Sequence, residues 1–288
     1  MGLTHRIKGG GGLALAVREA GQLAGQPILF IHGFSQSGLC WRRQFAGSLA
    51  EEFRLLAVDL RGHGESEKPQ AMEHYADAQL WADDIAAIID TLKLKHPVLV
   101  GWSYGGFVIG DYLRAYGQAR AGAINFVGAA VKSGSEAAGK MLGAGAAYFR
   151  GMVAEELEVN IAASRGLLAA CTARAMERVE FETMLAASMV VPPGVRRGLL
   201  RRRLDYDDVL AKISVPVLVT QGMQDRVVLP AMAEHIVGLV PGAEKSFYQS
   251  VGHAPFIEAT ERFNRELGEL ARQAGGGVRP SGCKAEEG

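Results

Sequence analysis

The chain has 288 residues, 48% of them hydrophobic and 22% charged. That balance excludes an intrinsically disordered chain and is enough for a large buried core. The 31 Lys and Arg cancel the 31 Asp and Glu, and zero net charge disfavours nucleic acid or an anionic membrane as partner.

From the N-terminus, Met1–Arg6 lacks the apolar stretch of a secretion signal, and nowhere do 18 apolar residues run together. Cys40, Cys171 and Cys283 are scattered and odd in number, which suits a reducing compartment. A cytoplasmic location is expected. The stretch Ile7–Val17, centred on four glycines from Gly9 to Gly12, predicts a hairpin.

Short, wholly apolar runs follow at Ile28–Ile31, Leu55–Val58, Val98–Val100 and Val217–Val219, with weaker ones at Ile124–Val127 and Lys245–Tyr248. Runs buried on both faces belong to parallel sheets. Between them lie helical stripes. Trp41, Phe45 and Leu49 recur every four residues; Ala76, Leu80, Ile85, Ile88, Ile89 and Leu92 trace a second stripe; Phe107, Tyr112, Leu113 and Tyr116 a third; Phe263, Leu267 and Leu270 a last one. Alternating strand and helix predicts an α/β fold with right-handed crossovers.

The alternation stops between residues 132 and 210, a stretch rich in Ala, Met, Glu and Arg with no strand run. It reads as a helical insertion over the sheet, so the core comprises 1–131 and 211–272. The remainder, 273–288, with Gly275–Gly277 and Pro280, is expected to fray.

Chemistry concentrates where an apolar strand runs into Gly101-Trp102-Ser103-Tyr104-Gly105 and a helical stripe leaves it. A tight strand-to-helix turn needs flanking positions without side chains. It lifts the serine oxygen to a helix N-terminus, where partial positive charge favours an anion. A serine hydroxyl needs a base and an orienting acid. Of seven histidines, His253 in Val251-Gly252-His253-Ala254-Pro255 follows the last strand run, at the carboxyl edge where a parallel sheet binds ligands. Asp225, at the end of the run from Val217, is the candidate acid. A tetrahedral intermediate needs two donors for its oxyanion. The Tyr104 and Phe34 amides are the candidates, with Gly33 letting the loop bend and His32 bracing it.

Taken together, His32-Gly33-Phe34, the Asp59–Ser66 loop, Gly101–Gly105, Gly222-x-x-Asp225 and Gly252-His253 resemble the α/β-hydrolase fold superfamily, over about residues 3 to 272. The chain is similar to its esterase, lactonase and cofactor-free haloperoxidase (perhydrolase) group. The resemblance implies a Ser-Asp-His triad, an eight-stranded, mostly parallel sheet and a helical cap inserted after the sixth strand. Tyr104 stands where that group often has Met, and Trp102 where carbon–carbon bond hydrolases often have Asn. Ser103 argues against the dehalogenases and epoxide hydrolases, whose nucleophile is Asp.

Other signals are weaker. Gly134-x-x-x-x-Gly139-Lys140 is followed by Met141 rather than Ser or Thr, and Gly143–Tyr148 lacks the third glycine of a dinucleotide loop. No paired His or Cys spacing implies a metal. Asp83 and Asp84 read as helix surface or loop bracing. The cluster Arg196, Arg197, Arg201, Arg202 and Arg203 reads as a solvated helix face. Phe34, Trp102 and Tyr148 are candidates to line an acyl pocket, whereas Trp41 reads as core.

The expectation is thus a cofactor-free serine hydrolase acting on a small-molecule ester or lactone. The alternatives are peroxide as acyl acceptor, carbon–carbon bond hydrolysis of a vinylogous diketone, and a non-catalytic ligand receptor. Substrate and oligomeric state are left open.

Overall fold

A computed structural model describes residues 2–275. The predicted hairpin forms from β1 (Leu3–Lys8) and β2 (Ala14–Gly21), antiparallel with Leu3 opposite Glu19 and Lys8 opposite Ala14. The apolar runs become β3 (Pro27–Ile31), β4 (Arg54–Asp59), β5 (Val98–Trp102), β6 (Ala123–Val127), β7 (Val217–Gly222) and β8 (Glu244–Tyr248). They build one eight-stranded sheet in the order β1-β2-β4-β3-β5-β6-β7-β8. From β4 to β8 every neighbouring pair is parallel, and β2 pairs antiparallel with both β1 and β4. Every residue of β3, β5, β6 and β7 is buried, which is why β3, β5 and β7 carry apolar runs; β6 reads more weakly because it holds Asn125, whose Oδ1 accepts from the Thr220 hydroxyl at 2.9 Å. β8, at the edge, exposes Glu244 and Lys245.

The order reverses around β3: β4 lies on one side of it and β5 on the other. Such a switch point opens a crevice at the carboxyl ends of the two strands. The loops after β3 and β5 carry Gly33-Phe34 and Ser103.

Helices cover the sheet. Ala78–Thr91 buries Trp81, Ile85, Ile88 and Ile89. It starts at Asp77, whose carboxylate accepts from the Gln79 N–H at 2.9 Å; Ala76 therefore falls in a separate turn, Glu73–Ala76. The stripe Trp41, Phe45, Leu49 is not one helix. The chain forms a 3₁₀ turn Gly38–Trp41 and two short helices, Arg42–Phe45 and Leu49–Glu52. The break falls at Gly47, where a Cβ would lie 2.9 Å from the Arg43 carbonyl oxygen. Trp41 is buried against Phe30 and Phe256.

Within residues 132–210 the longest helices are Leu157–Ala170, Arg178–Met189 and Pro193–Leu200. The two ends meet at a bridge between Lys132 and Asp205, reinforced by their ion pair at 3.0 Å. The last helix, Thr260–Gly275, carries three residues further than the expected start of the tail and buries Phe263, Leu267 and Leu270. The rest of that tail, with Cys283, lies outside the described residues. Among the described residues no helix is long and apolar enough to cross a membrane.

Candidate active site

β5 delivers Ser103 into a left-handed turn with φ of 55°. A non-glycine residue is strained there, and backbone hydrogen bonds hold it. Ser103 N–H donates to the Val127 carbonyl, and its own carbonyl accepts from Gly106 and Ala130, each at 3.0 Å. The flanking glycines are needed for room. An added Cβ would lie 2.8 Å from the Gly105 carbonyl oxygen at Gly101, and 2.6 Å from the Ile31 carbonyl oxygen at Gly105. The helix Gly105–Tyr116 leaves this turn directly.

Opposite stands the loop after β3. A Cβ on Gly33 would lie 3.0 Å from Ser103 Cβ, so only glycine lets the loop come this close. His32 braces it as expected: Nε2 accepts from the Leu60 N–H at 3.0 Å and Nδ1 donates to the Gly33 carbonyl at 2.8 Å. Burial pushes the His32 pKa down to about 4 despite the Asp59 charge nearby, so the ring is neutral and its lone pair is available. Among the described residues, the Phe34 and Tyr104 amides donate to no protein acceptor. Both are therefore free for an oxyanion.

His253 follows β8 and is buried, with its Nδ1 2.7 Å from Asp225 Oδ2. Because a carboxylate can only accept, Nδ1 carries the proton and Nε2 is the basic nitrogen. Asp225 is fully engaged. Oδ1 accepts from the Val227 and Val228 N–H groups at 2.8 and 3.0 Å, and Oδ2 from the Gln221 amide at 3.1 Å as well as from the imidazole. The carboxylate thus orients the ring and caps its own turn.

Ser103 and His253 line one cavity together with Gly33, Phe34 and Trp102. The hydrogen bonds of the described residues include none from the Ser103 hydroxyl to the imidazole, so proton transfer requires Oγ to close on Nε2. Such contacts often tighten only in the substrate complex. Tyr148 is not in the cavity wall. The residue is 41% exposed and its ring packs over Gly166, while its neighbour Phe149 lines the site with Leu167 and Leu168. Tyr148 therefore drops out as a pocket residue, because a change of one position on this helical turn moves the side chain to another face.

Several supporting contacts had no sequence signal. Trp102 Nε1 donates to the His253 carbonyl at 2.8 Å. Glu258 accepts from the Gly252 and Ala173 N–H groups at 2.7 and 2.8 Å, joining the histidine loop to the helical insertion. Burial raises its pKa against those donors. The arginine cluster is also corrected. Arg197, Arg201 and Arg203 reach solvent, but Arg196 and Arg202 are buried. Arg202 pairs with Asp111 at 2.7 and 2.8 Å and donates to the Tyr104 hydroxyl at 3.1 Å. Burial pushes the Tyr104 phenol up to about 12 although Arg202 pulls the other way, so the phenol stays neutral. Asp84 braces a loop, as expected, by binding the buried Arg61 at 2.7 and 2.8 Å.

A serine on a strained turn, a carboxylate-held imidazole and two open amides in one crevice are the parts of nucleophilic acyl chemistry. The family model for the alpha/beta hydrolase fold matches residues 26–260. The chain belongs to the α/β-hydrolase fold family.

Among solved structures, a candidate aryl esterase from Burkholderia cenocepacia is 35% identical, covering 94% of this chain and 99% of its own, with a TM-score of 0.89. An esterase from Rhodococcus sp. ECU1013 is 31% identical, with 93% and 98% coverage and a TM-score of 0.87. A non-heme chloroperoxidase from Kitasatospora aureofaciens is 27% identical over 271 residues, 90% of this chain and 96% of that one.

Proposed function

We propose that the protein is a serine hydrolase that cleaves a small carboxylic ester or lactone. The reading rests on one observation above all: Ser103, held in a left-handed turn, shares a cavity with an imidazole whose Nδ1 is bonded to a buried carboxylate. In this scheme His253 Nε2 takes the Ser103 proton as Oγ attacks the substrate carbonyl carbon. The Phe34 and Tyr104 amides hold the oxygen that becomes negative, and Asp225 stabilises the imidazolium. Collapse expels the alcohol, which takes the proton from His253, and leaves an acyl group on Oγ. Water, deprotonated by His253, attacks the acyl carbon. As the second tetrahedral adduct collapses, the His253 imidazolium returns the proton to the departing Ser103 Oγ and the acid is released.

Residues 132–210 act in this reading as a cap, with Phe149, Leu167 and Leu168 forming the apolar side of the acyl site. A second reading uses the same groups with hydrogen peroxide in place of water, giving a peracid; the chloroperoxidase relative favours it. Peroxide-dependent halogenation compared with ester cleavage separates the two.

A fluorophosphonate probe tests the nucleophile. Wild-type protein is expected to be labelled on Ser103 and the Ser103→Ala variant not at all. Labelling that persists in the variant contradicts the assignment.

A further inference from the structure

Beside its apolar residues, the cavity wall carries a polar pair that the hydrolytic scheme does not use. Gln36, two residues after Phe34, lines the cavity and is only 3% exposed. Its Nε2 donates to the Met184 carbonyl at 3.2 Å, which fixes the orientation of the amide. Its Oε1 is buried and accepts nothing from the described residues. A buried amide oxygen without a donor is costly, and its place in the cavity wall puts this one where a bound ligand can supply the donor.

Ser188 lines the same cavity, one helical turn after Met184, and so lies beside the Gln36 amide. Behind it sits Arg196, fully buried and facing no carboxylate among the described residues. Arg196 donates to Ser35 Oγ at 2.8 Å, the Met152 carbonyl at 2.8 Å, Asn160 Oδ1 at 2.6 Å and the Ser188 carbonyl. Burial lowers its pKa only to about 10, so it remains a cation at neutral pH.

Ser35 Oγ, already accepting from Arg196, lies 3.1 Å from Ser188 Oγ. With the Ser35 proton directed to Ser188, the Ser188 proton is free to face the cavity, and the buried charge polarises both hydroxyls. The wall then presents an acceptor, Gln36 Oε1, beside a donor, the Ser188 hydroxyl.

We infer that Gln36 and Ser188 form a specificity subsite for a hydroxyl or secondary amide on the substrate. Either group supplies a donor to Gln36 Oε1 and an acceptor to the Ser188 hydroxyl. An alkyl group of the same size leaves Gln36 Oε1 unsatisfied. Sites built to bond a polar substituent discriminate strongly against the analogue that lacks it. The inference rests on the hydrolase reading above, because it assumes that the cavity holds the ester.

The test compares phenyl esters that exchange one hydroxyl for one methyl: phenyl 3-hydroxybutanoate against phenyl 3-methylbutanoate, and the matching pair with the substitution in the alcohol. Wild-type kcat/KM is expected to favour the hydroxyl member of at least one pair by about tenfold or more, and the ratio is expected to collapse toward unity in Gln36→Met and in Ser188→Ala. Two variants are used so that misfolding of one leaves the other to decide. Equal rates in wild type, or a preference that survives both substitutions, overturns the subsite. Absence of any Ser103-dependent ester cleavage would instead refute the hydrolase reading.

Discussion

Asp225 receives four hydrogen bonds on two oxygens, and the division between them sets what a substitution there does. In Asp225→Asn the side-chain oxygen can keep the Val227 and Val228 amides, which bond Oδ1 at 2.8 and 3.0 Å. The new NH2 then faces two donors, the Gln221 amide and the imidazole Nδ1–H. Relief comes if the ring moves its proton to Nε2, the nitrogen that has to act as base. A fall of roughly 10³–10⁴ in kcat is expected with little change in KM. Steady-state kinetics on a p-nitrophenyl ester checks it, and a loss below tenfold contradicts the orienting role. Asp225 was legible as a strand-end acid. The structure adds that the same carboxylate caps its own turn through the Val227 and Val228 amides.

The arginines show where the legibility of elements ends. Strands β3, β5 and β7 declare themselves because burial on both faces demands unbroken apolar runs. The serine turn does so because steric crowding demands glycine. Arg202 carries no such mark. Its neighbours Arg201 and Arg203 are exposed, and only tertiary structure shows that it meets Asp111, 91 positions away in sequence. The same holds for Glu258 and for the Trp102 indole, which bind backbone atoms of loops and leave no periodic trace.

The Arg202–Asp111 pair ties the return of the helical insertion to the helix that follows Ser103, and Tyr104 lies in the same network. Arg202→Met strands a buried carboxylate and is expected to cost about 3–5 kcal/mol, whereas adding Asp111→Leu should recover much of that loss. Urea denaturation of the single and double variants reads the difference. Equal stability of wild type and Arg202→Met contradicts this role.

At the scale of the whole molecule, the fold keeps two imidazoles neutral beneath the site. Burial lowers the pKa of His32 to about 4 from an ordinary 6.5, and that of His63 well below 6.5. Above 6.5 neither state binds these protons. Below it the unfolded chain takes them up while the folded chain does not, so stability falls with pH until His32 itself titrates near 4. His32 alone is expected to remove about 2 kcal/mol between pH 7 and pH 5, with His63 adding to it. Denaturation midpoints across that range measure the loss, and a flat profile contradicts it.

The same sheet gathers Ser103, Asp225 and His253 at its carboxyl edge. Acid-quenched mass spectrometry of the protein mixed with p-nitrophenyl acetate tests that convergence directly. One acetyl group is expected on the peptide bearing Ser103, appearing before steady state and vanishing in His253→Ala. Undiminished turnover by Ser103→Ala, or acetyl transfer to any other residue as the productive intermediate, would contradict the account.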